Sequence, residues 1–461
     1  MKASLWTMIV EGWLQRAANS VPNVTALETP EARLSYAELW QAARLGVGEL
    51  ARRGACPGER VAIALPPGIA FAQALHACFL LGAIAVPVDL RLSAEERARI
   101  AAGASVLVDE PLCSYPVGLS DGGEPPDRVF HDLDATAVVI HTSGTTSAPK
   151  PIELTYGNFL WSALGSAVAL GLDPRERWLC ALPLAHVGGL SILLRSTIYA
   201  TTAVLHERFD TDAVLHALRK QDITLVSVVA TTLARLLDAG LQRPPALRCA
   251  LTGGGPVPAA LVTRAREAGV PVSLTYGLTE ACSQVTTTPV AALNEIPIHP
   301  APSHPLSAGA PLFCTRVQTT TDGEIMVAGP TVAPGSADGD GWLRTGDLGV
   351  IDEDGRLHVT GRKADTIVSG GENIAPAEVE AVLETHPDVL EAAVLGRPDP
   401  RWGEAVTAIV VARSGARLEG EALRAHCARG LAPHKVPKQV SFVRAPLPRT
   451  RSGKLLRKEL I

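Results

Sequence analysis

The sequence of 461 residues has few cysteines, and none of them has a spacing that suggests a pair. Eight cysteines are spread along the chain, and no two of them lie closer than 22 residues. That distribution excludes a C-x-x-C motif and the paired spacings of zinc sites. The length excludes a small disulfide scaffold. We therefore expect reduced thiols in a cytoplasmic protein.

The sequence also lacks a secretory signal and a membrane-spanning stretch. The first residues include Lys2, Glu11 and Arg16 and contain no apolar region followed by a cleavage site, so we do not expect secretion. Residues 61–88 carry no charge. Prolines near both ends leave a helix of only about 18 Å there, against an apolar layer of ~30 Å. We interpret residues 61–88 as a buried strand, helix and strand.

Positive charge is not in excess. The chain has 42 basic and 47 acidic residues, a net charge of -5, which argues against nucleic-acid binding through general electrostatics. Apolar residues make up 47% of the sequence, enough for a large core, and the length predicts one large or two unequal domains.

The pattern of apolar runs predicts an α/β fold. Strand-like runs bounded by glycine and proline alternate with helix-like stretches over much of the chain. Ser35 and Ser93 each begin an S-x-x-E capping box, which predicts helix starts at both places. From residue 317 onward, Asp-Gly turns predict short strands. After the strand 356–360 the pattern reads β-turn-α-β-β-α-β, so we place the domain boundary between residues 1–361 and 362–461.

A run of hydroxyl side chains follows the predicted strand 137–141. It contains Thr142, Ser143, Gly144, Thr145 and Thr146 and ends at Lys150. Backbone N–H groups, hydroxyls and an ammonium can surround phosphate oxygens. It is not a Walker A motif, because no glycine precedes the lysine and Pro151 follows it. A phosphate-binding loop and an ordinary polar linker are both open at this point.

A second polar cluster follows the predicted strand 272–275. It runs Tyr276-Gly277-Leu278-Thr279-Glu280 and continues through Ser283 and Gln284. Such a strand end suits a ligand site at the carboxyl edge of a sheet. Tyr276 can stack on a base, Thr279 can donate to a phosphate, and Glu280 can hold Mg²⁺. The alternative is an ordinary helix start with Thr279 and Glu280 near its positive end.

Two shorter strings supply further charge. Asp347, in Arg344-Thr345-Gly346-Asp347, is predicted to lie in a turn and suits two vicinal ribose hydroxyls. Lys454 follows the flexible Gly453 near the end of the chain and can reach a negative charge. An ordinary aspartate turn and an exposed lysine are the simpler alternatives.

In their order along the chain, these motifs resemble those of the adenylate-forming superfamily of acyl-CoA synthetases, adenylation domains and luciferases. The resemblance covers nearly the whole chain and includes the glycine-rich turn 253–256 and the string Gly361-Arg362-Lys363-Ala364-Asp365. It implies a large N-terminal domain of layered sheets and helices and a small, mobile α+β C-terminal domain. It also implies two half-reactions, in which a carboxylate and ATP form an acyl-adenylate and coenzyme A then displaces AMP.

The resemblance assigns roles to residues of this chain. Lys454, Thr279 and His186 are expected to be catalytic, Glu280 to bind Mg²⁺, and Gly370 and Gly371 to lie near coenzyme A. The expected ATP-binding residues are Thr142, Ser143, Gly144, Thr145, Thr146, Lys150, Gly254, Gly255, Pro256, Thr275, Tyr276, Gly277, Thr279, Asp347, Arg362 and Lys454.

Within the superfamily, residues 178–195 resemble the o-succinylbenzoate-CoA ligases of menaquinone synthesis. This implies conversion of 2-succinylbenzoate, ATP and CoA to 2-succinylbenzoyl-CoA, AMP and diphosphate. His186, Arg195, Ser283 and Gln284 are the expected acyl-pocket residues. Arg195 can offer two parallel donors to a second carboxylate, and a structural ion pair is its alternative role.

The sequence departs from the superfamily pattern at three positions. Ser147 and Pro151 stand where glycine is usual, which predicts a stiffer loop, and Ala364 stands where a charged residue is frequent. Three other functions therefore stay open: a ligase for another aryl or acyl acid, an adenylation domain that loads a carrier protein, and a nucleotide-binding relative without catalysis. All expected partners are small molecules, and the sequence is compatible with a homo-oligomer.

Overall fold

The computed structural model describes residues 8–112, 129–142, 150–293, 306–449 and 455–460. The α-helices in these ranges are α1 (Trp13–Ser20), α2 (Tyr36–Arg52), α3 (Ile69–Leu81), α4 (Ala94–Ala101), α5 (Tyr156–Leu170), α6 (Val187–Tyr199), α7 (Thr211–Lys220), α8 (Ala230–Asp238), α9 (Ala259–Glu267), α10 (Pro376–Glu384) and α11 (Gly420–Gly430).

The strands of the same ranges fall into two groups along the chain. The first group is β1 (Ile9–Glu11), β2 (Thr25–Glu28), β3 (Arg33–Ser35), β4 (Arg60–Ile63), β5 (Ile84–Pro87), β6 (Val106–Val108), β7 (Phe130–Asp132), β8 (Thr136–Thr142), β9 (Lys150–Thr155), β10 (Arg177–Cys180), β11 (Thr202–Leu205), β12 (Leu225–Val228), β13 (Cys249–Thr252), β14 (Val272–Leu278), β15 (Ser283–Thr287) and β16 (Ala310–Pro311). The second is β17 (Arg316–Thr319), β18 (Glu324–Ala328), β19 (Leu343–Ile351), β20 (Leu357–Arg362), β21 (Ile367–Ser369), β22 (Glu372–Ile374), β23 (Val389–Asp399), β24 (Gly403–Ala412) and β25 (Gln439–Val443).

Two largely parallel sheets dominate the first group of strands. The larger has the order β16-β15-β14-β13-β12-β10-β11-β2-β3, in which β14, β13, β12, β10, β11 and β2 are parallel. The smaller has the order β6-β4-β5-β8-β9, in which only β9 is antiparallel to its neighbour. Parallel strands end at a common edge, so the loops that follow them gather there. The predicted α/β class is confirmed.

The uncharged stretch 61–88 folds as the sequence predicts, into strand, helix and strand. It forms β4, α3 and β5, with α3 buried on nearly all sides. Gly82 ends α3 with a left-handed φ of 77°, which glycine adopts without strain. In the part of the chain that the structure describes, no helix has the length and apolar character needed to cross a membrane.

Both predicted capping boxes are present. The Ser35 side chain accepts from the backbone N–H of Glu38, and the Glu38 carboxylate accepts from the backbone N–H of Ser35 at 2.7 Å. Ser93 and Glu96 repeat the arrangement at the start of α4. Each box satisfies backbone donors that a helix start leaves unpaired, which is why these two helices begin where they do.

The hydrophobic core lies on both faces of the larger sheet. One cluster joins α1, α2, α3, α5 and α6 to the sheets and contains fully buried Tyr36, Phe71 and Trp178. A second cluster packs α7, α8 and α9 against β12, β13 and β14. Burial of these side chains contributes roughly 25 cal/mol per Å² of apolar surface and fixes the strand ends that carry the polar loops.

The last hundred residues follow the predicted order of elements except for β22, a second strand between the turn and α10. The sheet β22-β21-β24-β23, with β25 beside β24, packs against α10 and α11 through Val379, Leu383, Leu423 and Cys427. Strand β20 ends at Arg362 in the antiparallel sheet β17-β18-β19-β20, and β21 of the next sheet begins at Ile367. The boundary between residues 361 and 362 stays a prediction.

The prediction that Asp347 lies in a turn is wrong. Leu343–Ile351 is one continuous strand, β19, paired with β18 on one side and β20 on the other. Gly346 has φ of 71°, and its N–H donates to the Glu324 side chain at 3.3 Å. The pairing of β19 is irregular near Gly346, and Asp347 lies on a strand that is paired on both sides.

One carboxylate at the end of α10, in the C-terminal part of the chain, predicts how stability varies with pH. Burial and the neighbouring carboxylate of Glu380 raise the pKa of Glu384 to about 7. The unfolded chain titrates near ~4.3, so between about pH 4 and pH 7 the folded protein binds the extra proton. The stability that this proton confers is present below pH 4 and is lost as pH rises through 7.

Glu384→Gln is therefore expected to increase the free energy of unfolding at pH 8 by about 1 to 3 kcal/mol, with little change at pH 4.5. Urea titrations at the two pH values measure the difference. Glu353→Gln, at an exposed position, is the control and should shift neither value. An equal effect of Glu384→Gln at both pH values would contradict the prediction.

Candidate active site

The predicted polar segments gather at the carboxyl edge of the larger sheet. His186 follows β10, the glycine-rich turn 253–256 follows β13, and Tyr276 and Gly277 lie near the end of strand β14. The strands that precede these segments are parallel, so the segments leave the sheet at the same edge, where the strands have their carboxyl ends. The structure thus brings together the segments that the sequence predicts at one ligand-binding edge.

Glycine permits close backbone contacts at this edge. A Cβ atom on Gly253 would lie 2.7 Å from the carbonyl oxygen of Thr275, and one on Gly277 would lie 1.7 Å from that of Ser283. Gly254 has a φ of 81°, while Gly255 and Pro256 continue the turn. A side chain at 253 would push the turn away from β14, and one at 277 would push β14 away from β15, so these glycines set the shape of the edge.

Tyr276, Asp347 and Arg362 form one cluster, joined by a hydrogen bond and an ion pair. The Tyr276 hydroxyl donates to Asp347 Oδ2 at 2.9 Å, and Arg362 Nε lies 3.0 Å from Asp347 Oδ1. Burial and the Asp347 carboxylate raise the pKa of Tyr276, so its hydroxyl remains a donor at neutral pH. Three residues predicted to bind the nucleoside, from β14, β19 and β20, therefore meet.

Thr275 and Gln284 are linked through a residue that the sequence did not indicate. Gln284 Nε2 donates to Thr287 Oγ1 at 2.8 Å, and Thr287 Oγ1 lies 2.9 Å from Thr275 Oγ1. Gln284 is 2% exposed, and its Oε1 atom has no hydrogen-bond partner among the described residues. Ser283, beside it, has a positive φ of 90°. An unpaired buried acceptor at this edge can receive a donor from a ligand or water.

The ends of the predicted phosphate loop are adjacent. Thr142 and Lys150 are paired residues of the antiparallel strands β8 and β9, and β9 lies beside the 3₁₀ turn Thr279–Ala281. Ser143, Gly144, Thr145, Thr146 and Ser147 lie outside the described residues. Pro151 lies in β9, an edge strand, which is where a sheet tolerates proline.

Glu280 is the predicted Mg²⁺ ligand. Its backbone carbonyl accepts from the N–H of Ala333 at 2.8 Å, whereas its carboxylate makes no hydrogen bond or ion pair with any described residue. The same ranges contain no group of three His, Cys, Asp or Glu side chains that could hold a metal ion. One free carboxylate beside Thr279 fits Mg²⁺, which typically binds one or two carboxylates together with substrate phosphates and water.

His186 pairs with two residues of the smaller sheet. Its Nε2 lies 2.8 Å from Arg91 Nη2 and 3.4 Å from Asp89 Oδ2. Burial would raise the pKa of Asp89, but the hydrogen bonds that it accepts from the side chain and backbone N–H of Arg91 hold it well below its usual range. Asp89 and Arg91 follow β5, at the carboxyl edge of that sheet. Sequence reasoning missed both of them.

Arg195 is a buried cation without a buried anion. It lies on α6, is 2% exposed, donates from Nη2 to Ser162 Oγ at 2.9 Å, and stands 5.7 Å from the centre of the Trp178 ring. Its Nε–H has no hydrogen-bond partner, and no carboxylate of the described residues forms an ion pair with it. Burial lowers the pKa of Arg195. The predicted alternative, a structural ion pair, finds no support in the described residues.

Gly370 and Gly371 form the turn between β21 and β22, with φ of 63° and 86°. The N–H of Gly370 donates to the carbonyl of Trp402 at 2.8 Å, and Lys438 Nζ lies 5.2 Å from the centre of the Trp402 ring. Lys454 lies outside the described residues. Its neighbour Leu455 pairs with Arg449 and packs against the small sheet.

The chain belongs to the AMP-binding enzyme family. The family model described as AMP-binding enzyme matches residues 14–336, and the model of the AMP-binding enzyme C-terminal domain matches residues 378–454. The 2-succinylbenzoate–CoA ligase of Bacillus subtilis is 38% identical to this chain over 482 residues, which cover 97% of both proteins.

Two solved structures of the o-succinylbenzoate CoA synthetase from Bacillus subtilis are similar over the full length. The complex with the acyl-adenylate intermediate OSB-AMP has a TM-score of 0.87 and 37% identity, covering 98% of each chain. The complex with ATP and magnesium ion has the same TM-score and identity and covers 98% of this chain and 100% of that one. The similarity therefore includes both the large and the small domain.

Proposed function

We propose that this protein is an ATP-dependent carboxylate–CoA ligase that converts 2-succinylbenzoate, ATP and CoA to 2-succinylbenzoyl-CoA, AMP and diphosphate. The observation that carries the substrate class is Arg195, whose guanidinium is buried with no anion of the described residues beside it. A dicarboxylic acid supplies the missing charge. The full-length similarity to 2-succinylbenzoate–CoA ligases supports the same substrate.

In the first half-reaction, an oxygen of the substrate carboxylate attacks the α-phosphorus of ATP. The bond between the α-phosphorus and its bridging oxygen breaks, and diphosphate leaves. Two anions must approach for this step, so positive charge and hydrogen-bond donors are needed where negative charge develops. We assign Lys454 and Thr279 to this task, with Lys150 and the 142–146 run at the β- and γ-phosphates.

Tyr276, Asp347 and Arg362 hold the adenosine in this proposal. Asp347 is fixed by two side chains before the nucleotide arrives, and the turn of Gly254, Gly255 and Pro256, next to Thr275 and Gly277, forms the adenine end. Mg²⁺, when bound through Glu280, supplies charge stabilisation on phosphate oxygens. The turn is formed mainly by backbone, which suits contact with a flat base.

In the second half-reaction, the sulfur of coenzyme A attacks the acyl carbon. The bond from that carbon to the phosphate oxygen breaks, AMP leaves, and the thiol proton passes to solvent. We assign Gly370 and Gly371 to the coenzyme A side, because their turn exposes backbone without side chains. The acyl group is surrounded by His186, Arg195, Ser283 and Gln284.

Separated free cysteines and the ligase chemistry support a cytoplasmic location.

The test is incubation with Mg²⁺, ATP, CoA and a panel of aromatic and aliphatic carboxylates, with AMP and thioester both measured. We expect equal amounts of AMP and thioester with 2-succinylbenzoate and much less with the other acids. Preference for another acid would identify a different acyl-CoA ligase. Transfer to a pantetheinylated carrier protein in preference to CoA would identify a carrier-loading adenylation domain. No AMP with any acid would identify a non-catalytic nucleotide-binding protein.

Asp347→Asn is expected to raise the KM for ATP about ten-fold and to leave the KM for the acid unchanged. The charge of the carboxylate strengthens its hydrogen bonds to hydroxyls, and a bond to a charged group is worth about 1.5 kcal/mol or more. Asp340→Asn changes an exposed aspartate in a nearby turn and serves as the control. An equal rise in both KM values would contradict the assignment to the nucleoside.

A further inference from the structure

Three side chains connect the carboxyl edges of the two parallel sheets. Asp89 and Arg91 follow β5 in the smaller sheet, and His186 follows β10 in the larger one. Arg91 Nη2 lies 2.8 Å from His186 Nε2, across a separation of 95 residues in sequence. His186 also stands at the N-terminus of α6, the helix that carries Arg195. The contact therefore lies where two sets of ligand-binding loops meet.

Asp89 fixes the orientation of the Arg91 guanidinium. Arg91 Nε donates to Asp89 Oδ1 at 2.9 Å, and Arg91 Nη2 donates to Oδ2 at 2.7 Å. This is a two-bonded pair, and the Asp89 side chain is only 12% exposed. A planar guanidinium held at two points has little rotational freedom. The second hydrogen on Nη2 is then directed at a defined position, and His186 Nε2 occupies it.

The contact with Arg91 also selects the tautomer of His186. A guanidinium can only donate hydrogen bonds, so an imidazole nitrogen 2.8 Å from it must accept. Nε2 therefore carries a lone pair, and the hydrogen of the neutral ring is on Nδ1. The 3.4 Å approach of Asp89 Oδ2 to the same nitrogen is longer. Asp89 thus acts on the ring mainly through Arg91.

We propose that Asp89 and Arg91 are positioning residues for His186, which hold its imidazole in one orientation with Nδ1–H as the donor that faces the acyl substrate. The inference rests on the proposed function, because that proposal places His186 in the acyl pocket. It goes further by making the smaller sheet, through Asp89 and Arg91, part of acyl recognition. No chemical step is assigned to either residue.

A double-mutant cycle tests the proposal with the full chain. Asp89→Asn keeps the shape of the side chain and removes its charge, and we expect it to lower kcat/KM for the acid about ten-fold, with the KM for ATP unchanged within about two-fold. In the His186→Ala background, Asp89→Asn should change kcat/KM by less than about two-fold. Two results would overturn the proposal. One is that the effects of Asp89→Asn and His186→Ala on kcat/KM multiply independently, and the other is that the His186→Ala enzyme has normal kinetics for the acid.

Matched variants separate positioning from loss of structure. Asp109 follows β6 at the same edge of the smaller sheet and is exposed, so Asp109→Asn should have no effect. Arg91→Lys keeps a donor and a charge and should retain more activity toward the acid than Arg91→Leu. Unfolding midpoints show whether each variant is folded at the assay temperature, and Arg91→Leu, which leaves Asp89 unpaired, should have the lowest. If Arg91→Lys and Arg91→Leu were equally impaired, the guanidinium contact would not be what orients the ring.

A measurement without catalysis distinguishes failure of this inference from failure of the proposed function. Nitrogen-15 spectra of the histidine rings, with His186 assigned from the His186→Ala variant, report which ring nitrogen carries the hydrogen. We expect the Nδ1–H form in the unmodified protein and a mixture of tautomers in Arg91→Leu. Nε2–H as the main form would overturn the inference even in an active ligase. The expected spectra in a chain that makes no AMP would instead leave the contact standing and reject the ligase.

Discussion

Lys454→Ala is expected to slow formation of the acyl-adenylate by about 10²- to 10³-fold, equivalent to roughly 3 to 4 kcal/mol in the barrier. The acid and ATP are both anions, and their approach requires a cation at the reacting oxygens. The described residues that precede and follow residues 450–454 form ion pairs: Arg449 pairs with Glu391, and Arg457 pairs with Glu380 and Asp365.

The measurement is the single-turnover rate of diphosphate release at saturating acid and ATP. The second half-reaction, started from purified acyl-adenylate and CoA, should stay within about three-fold of the unmodified rate. Lys220→Ala, at the exposed end of α7, is the control. An unchanged first step would refute the assignment of Lys454. Equal losses in both steps would show that the lysine supports the small domain and does not stabilise charge in adenylation.

Arg195→Gln is expected to raise the KM for 2-succinylbenzoate about 100-fold, or about 3 kcal/mol. Removing one partner of a buried charge pair leaves the other charge without compensation, which typically costs 2 to 5 kcal/mol. A monocarboxylic analogue, which keeps only the carboxylate that is adenylated, should bind the variant as well as it binds the unmodified protein. The comparison of the two acids isolates the charge interaction from general changes in pocket shape.

Protein stability provides the second part of this test. A buried guanidinium without an anion is costly, so replacement by a neutral amide should not lower the unfolding midpoint. Arg99→Gln, at an exposed position on α4, should alter neither stability nor KM. A loss of stability with equal effects on both acids would indicate that Arg195 supports the fold and does not recognise a carboxylate.

Much of the fold and of the nucleotide site follows from local sequence. The capping boxes at Ser35 and Ser93 act on residues close to them in the chain, so their consequences can be read from short strings. The order of motifs was sufficient to predict the family. Strand ends carry the polar groups because parallel strands share an edge.

The parts that the sequence did not predict depend on contacts between distant segments. Asp89 and Arg91 are unremarkable in their own segment, and only the meeting of two sheets brings them to His186. Asp347 was expected in a turn because glycine precedes it, but pairing of β19 on both sides outweighs that local preference. Thr287 was missed because its link to Thr275 and Gln284 depends on the β14–β15 pairing.

The arrangement of Asp347 has a consequence for how ribose would be distinguished from deoxyribose. Asp347 Oδ2 accepts a hydrogen bond from Tyr276, Oδ1 forms an ion pair with Arg362, and each oxygen keeps a lone pair for a further donor. Folding already fixes the orientation of the Asp347 carboxylate. Binding of a vicinal diol therefore costs little further conformational entropy of this side chain. A sugar with one hydroxyl leaves one of them unsatisfied. If Asp347 binds the ribose, as proposed, selectivity for ribonucleotides is set by the folded sheet before any nucleotide binds.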